Sequence, residues 1–194
     1  MRTKSIFLIV CLITGLAGSI NAQNKGKALN EKTMTWFGVD FSLAKFTLVT
    51  DDPAVIVSQY MKSINTLILA EPEKYNLAMY FNKSEVASDL EIVTERNSKI
   101  DPGSLVVPDK YTVAPEEVEK LVKSYNTKGP GMGLVFVAEN LNKAAQTGTY
   151  YVCFFDMATK EIIDAKPYTG KAAGFGFRNY WAGSVFNIMK TWKN

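Results

Sequence analysis

The chain predicts an α+β (mixed α/β) fold, a mainly antiparallel mixed sheet covered by about three helices. Three observations predict it. Proline-started helical patterns are interspersed among aromatic and β-branched runs. Late in the chain, the turn Asp156-Met-Ala-Thr-Lys160 joins two apolar runs as a hairpin. The closing segment carries Trp181, Val185, Ile188 and Trp192 at helical spacing, so a last helix packs on the sheet.

Taken in order, residues 23–33 are polar and aperiodic and read as a flexible lead-in to one domain over residues 34–194. Thr35 to Val49 is rich in aromatic and β-branched residues and fits one or two strands, with Val39 and Phe41 on one face. Asp51-Asp52-Pro53 is a helix start, an acidic cap followed by proline. Val55, Ile56, Tyr60, Ile64, Leu67 and Ile68 continue it as an amphipathic helix, which Glu71-Pro72 ends. Tyr75 to Phe81 reads as a short second helix. Leu90, Ile92 and Thr94 alternate with polar residues and suggest a strand. Asp101-Pro-Gly-Ser is a turn, and Ala114-Pro115-Glu116-Glu117 opens a helix with apolar face Val118, Leu121, Val122 and Tyr125. Strands follow at Leu134 to Ala138, Thr149 to Phe155 and Glu161 to Ala165, then the last helix from about Asn179 to Lys193.

The N-terminus reads as an address. Arg2 and Lys4 precede an apolar run from Ile6 to Ala17, and small residues at Ser19 to Ala22 follow, the order of a cleavable signal peptide over residues 1–22. The apolar run falls short of the roughly 20 residues a spanning helix needs, so no transmembrane anchor is expected. Cys11 follows bulky Leu8, Ile9 and Val10 inside the apolar run, which argues against lipid attachment. The expected location is periplasmic or secreted.

Composition excludes several chemistries. The first 22 residues hold two of the 22 basic residues and none of the 19 acidic ones, which leaves 20 against 19. That balance argues against a nucleic-acid partner. The chain has no histidine, which removes imidazole-based zinc sites and the usual serine and cysteine triads. No cofactor or metal is expected, although an oxygen-ligand calcium site stays open. Beyond residue 22 only Cys153 remains, in the apolar run Tyr150 to Phe155, where a buried inert thiol is expected.

The most unusual stretch is Gly170 to Gly183. Its glycines precede a helix, but a dinucleotide loop wants a third glycine where Asn179 stands. Its side chains Lys171, Phe175, Phe177, Arg178, Tyr180 and Trp181 form the candidate ligand-binding surface, rings to stack on a peptide or glycan and cations to bond it. Rings at such spacing also build cores. Without histidine, carboxylates are the remaining acid–base groups. Asp51 and Asp52 are explained by a helix cap and Asp156 by a turn; Glu139 is a further candidate. Asp40, beside Phe37 and Phe41, has the least local explanation and joins the ligand-binding candidates. No catalytic residue is assigned.

Trp36-Phe-Gly-Val-Asp-Phe-Ser42 together with Gly174-Phe-Gly-Phe-Arg-Asn-Tyr-Trp181 resembles a group of uncharacterised exported bacterial proteins, a family of unknown function, over nearly the whole chain beyond the signal segment. The element order also looks like the mixed α/β periplasmic domains of the Tol system and of the curli secretion channel. That second resemblance implies protein contacts in the envelope rather than catalysis, and rests on topology alone. The expected function is a non-enzymatic exported module that binds a protein or envelope component, with a homo-oligomer compatible with the same surface. The alternative is a carbohydrate-active enzyme or small-ligand binder that uses Asp40 and a second carboxylate.

Overall fold

A computed structural model describes residues 30–193, so the predicted signal segment, Cys11 and lead-in residues 23–29 lie outside the described residues. Among the described residues, β1 is Thr33–Asp40 and β2 is Lys45–Thr47. Helix α1 runs over residues 53–70, as α-helical Pro53–Val55, π-helical Ile56–Tyr60 and α-helical Met61–Ala70. Then come α2 (Leu77–Tyr80), β3 (Glu85–Ser88), α3 (Glu91–Asn97), β4 (Val106–Val107) and α4 (Pro115–Lys123). Long strands β5 (Met132–Asn142), β6 (Thr147–Asp156) and β7 (Ile162–Lys171) precede the closing helix α5 (Gly176–Lys193).

The seven strands form one sheet. β1 and β2 lie end to end along one side of β5, with Thr35 to Asp40 opposite Gly133 to Val137 and Lys45 to Thr47 opposite Asn140 to Asn142. β3 lies beside β1, and β4 beside β2. On the other side of β5 come β6 and then β7.

The expectation of a mainly antiparallel sheet is corrected here. β1 to β5 pair in parallel, and antiparallel pairing is confined to β5–β6 and β6–β7. Parallel neighbours need crossover connections, and helices supply them between β1 and β5. The strand expected at Leu90 to Thr94 is also corrected: Glu91–Asn97 is helical, and the strand is the preceding Glu85–Ser88. Asp89, just before the N-cap residue Leu90, accepts from the Glu91 N–H at 3.1 Å in a local turn that leads into this helix.

Other local signals fold as their chemistry dictates. Asp52 accepts from the Ala54 N–H at 2.9 Å, with Pro53 in the first turn. Ile56 and Met61, five residues apart, are both fully buried. An α-helix would set them about 140° apart around its axis. The i→i+5 bond from Met61 N–H to the Ile56 carbonyl returns them to one side.

β5 is buried along almost its whole length and divides the core. Leu134, Phe136 and Ala138 face the layer of α1 and α5, where Trp36, Phe154 and Trp181 pack. Val135 and Val137 face a second layer with Phe37, Cys153, Val93 of α3, and Val118, Leu121 and Val122 of α4. Cys153 is fully buried, and burial pushes its thiol far above the usual range.

Candidate functional site

The predicted C-terminal surface divides into core and exposed parts. Trp181 is buried and stands edge-on to Phe46 at 5.9 Å and to Tyr180 at 4.9 Å. Phe177 stacks on Tyr60 at 4.6 Å and on Phe46 at 5.7 Å. These faces are occupied by other rings, so Phe177 and Trp181 join α5 to α1 and β2 and leave no platform for a sugar. Phe175 is the opposite case, 96% exposed. It stands between Gly174 (φ +136°) and Gly176 (φ +76°), both in a region that favours glycine. Lys171 and Arg178 are exposed near it in the chain.

Phe177, Tyr180 and Trp181 line a shallow pocket of about 320 Å³ with Gly174, Gly176 and Lys143. Lys143 Nζ sits 3.6 Å from the centroid of the Tyr180 ring. Val49 forms part of the wall, and its neighbour Leu48 is 55% exposed at φ +54°. Two of the three exposed large hydrophobic side chains among the described residues, Leu48 and Phe175, are therefore chain neighbours of the walls of one pocket.

Asp40 lies elsewhere, in the layer on the other side of the sheet. It is fully buried. Its Oδ1 accepts from the Ser42 N–H at 2.7 Å, and its Oδ2 accepts from Tyr125 Oη at 2.7 Å. Arg96 Nε stands 3.4 Å from Oδ2, with its guanidinium 5.6 Å from the Tyr125 ring. Burial first, and then the Asp40 charge, hold the Tyr125 phenol well above its usual value. Around this pair two asparagines finish the end of β1. Asn65 accepts from the Val39 N–H and Asn97 from the Phe41 N–H, each at 2.7 Å, and both donate to the Val39 carbonyl at 3.0 Å.

Glu139 is nearly buried too and accepts from the Val113 N–H at 2.9 Å. Asp51 is exposed and Asp156 half-buried, and the Asp156 carboxylate accepts from the Ala158 and Thr159 N–H groups. Among the described residues no group of three or more carboxylate or thiol side chains is arranged to hold a metal ion. Asp40 lines none of five pockets of about 250–470 Å³ among the described residues.

Arg96, Tyr125 and Ser42 were absent from the sequence candidates, as were Leu48 and Lys143. Tyr125 stands 85 positions from Asp40, and no spacing rule connects them. The one signal in the sequence was Asp40 itself, a carboxylate set among aromatic strand residues. Comparison with protein-family models, with curated proteins and with solved structures finds no match for this chain. No helix among the described residues is long and apolar enough to cross a membrane.

Proposed function

We propose that this chain is an exported, non-enzymatic module, periplasmic or secreted, that binds a protein or envelope component through the surface around Phe175. The observation that carries the reading is the Phe175 ring, 96% exposed on a glycine-flanked turn beside a shallow pocket. Covering a phenyl ring contributes roughly 1.5–3 kcal/mol, and aromatic anchors of this kind dominate protein interfaces. Leu48, Lys143, Lys171 and Arg178 supply a mixed apolar and cationic surround. Phe175 takes no part in the core, so its removal leaves the fold intact.

The test places a photo-crosslinking residue at position 175 in cells and, as a control, at Met79, which is 42% exposed elsewhere on the surface. Adducts specific to position 175, together with a roughly tenfold loss of partner retention in Phe175→Ala at unchanged Tm, are expected. Identical adducts from both positions, or full retention by Phe175→Ala, discard the surface. Crosslinks between two copies of the chain identify the partner as a second copy.

A further inference from the structure

Arg96 donates no hydrogen bond to any described residue, although its side chain is only 31% exposed. Asp40 does not depend on it for hydrogen bonds, because Ser42 N–H and Tyr125 Oη already donate at 2.7 Å each. The buried carboxylate and the Tyr125 ring therefore act as a mount that fixes the guanidinium in place, with its donors left over. Arg96 forms a wall of a pocket of about 380 Å³, with Ser42, Ile92, Glu95, Lys99, Ser124 and Asn126 around it. That volume lies within the range of small-molecule sites. Ser42 Oγ is buried and has no hydrogen-bond partner.

The pocket lies past the carboxyl end of β1 and beside the middle of β5, since Asp40 pairs with Val137 and Lys45 with Asn140. The chain runs from β1 directly into β2, passes through α1 on one face to β3, and returns by way of α3, β4 and α4 to β5, with α3 and α4 on the other face. Here β2 continues along β5 and fills the space directly beyond β1, so the opening is displaced toward α3 and α4.

We propose that this pocket binds a small oxyanion, a carboxylate or a phosphate, with Arg96 as its charged contact and Ser42 Oγ as a second donor once its side chain rotates out into the pocket that Ser42 lines. A guanidinium suits such a ligand because its N–H groups match two oxygens at once. Glu95, also in the lining, holds Lys99 at 2.5 Å, and Asp40 opposes Arg96 at 3.4 Å, so the two cations at the pocket are matched by two carboxylates. The site therefore binds weakly, in the millimolar range, at about the strength of one paired contact.

The test titrates the purified protein with inorganic phosphate and, separately, with succinate, against sodium chloride at matched ionic strength, while reading amide chemical shifts. At least one of the two is expected to move the Ser42 and Asn126 amides and half-saturate below about 10 mM. Which one does so separates a phosphate from a carboxylate ligand. Arg96→Lys keeps a cation beside Asp40 and is expected to weaken binding about tenfold; Ser42→Ala leaves the ion pair whole and is expected to weaken it about threefold. The proposal is overturned if neither anion moves these amides beyond the chloride control. It is equally overturned if both variants titrate like the unaltered protein, since a purely structural Arg96 would leave the titration unchanged.

Discussion

Lys83 is only 8% exposed, with its ammonium donating to the Glu31 carbonyl at 2.7 Å. Desolvation lowers its pKa to about 8, against a smaller opposing pull from the Glu31 charge. The unfolded chain keeps its proton to about pH 10.5. Between those limits the unfolded state binds more protons, so this residue makes stability rise with pH. From pH 8 to 9.5 the unaltered protein is expected to gain about 1–2 kcal/mol relative to Lys83→Met in urea unfolding. Equal slopes for the two proteins would show that Lys83 is solvated. Restricting the window below pH 10 keeps the buried phenols of Tyr125 and Tyr150 out of the comparison, since their raised values act in the opposite direction. Neither Lys83 nor the Asp40 mount was legible in the sequence, because burial of a charge is set by what packs on it from distant elements.

At the scale of elements, the bulge in β1 decides how its side chains are dealt to the two faces. Strict alternation would put Trp36 and Val39 on opposite sides of the sheet. The register shift between Trp36 and Gly38 puts both in the layer of α1 and α5, while Phe37 faces α4. Gly38 holds φ +97°, and a methyl there would come within 2.8 Å of Asn65 Oδ1 and of the Leu90 side chain. Gly38→Ala is expected to cost about 2–4 kcal/mol in urea unfolding. Gly176→Ala, at φ +76° with nothing near the added methyl, is expected to cost only about 1 kcal/mol. A mild effect at Gly38 would mean that Asn65 moves aside easily. Helix starts were legible here, since Asp52-Pro53 and Ala114-Pro115 carry their own caps in neighbouring residues. The parallel pairing was not, although Leu134 to Ala138 held the clue. An unbroken apolar run is what a strand covered on both faces requires, and the late hairpin drew the reading toward antiparallel neighbours instead. At the start of α3, the five residues from Leu90 to Thr94 were too few to separate a strand from a helix.

For the whole molecule, the two sheet margins are protected by different means. At one margin β3 and β4 span four and two residues, too short to template another strand. The other margin is β7, ten residues long and paired only with β6. Pro167 lacks an N–H at its midpoint, and Lys166 and Lys171 add charge. Replacing Lys171 with Thr and Pro167 with Val together, which leaves the Lys166–Asp164 ion pair in place, is expected to produce concentration-dependent self-association by light scattering, with Tm changed little. A monodisperse double variant would show that side-chain packing, not the missing donor, guards this margin. The placement of β5 also sets a timetable. Thr35 and its partner Gly133 are almost 100 positions apart, and β1, β2 and β6 all bond to the same strand. A chain threaded from its N-terminus through a narrow channel cannot assemble the sheet until residues 132–142 have come through. For a chain exported N-terminus first, as proposed above, the late arrival of that keystone would defer folding to the compartment that receives the last third of the chain.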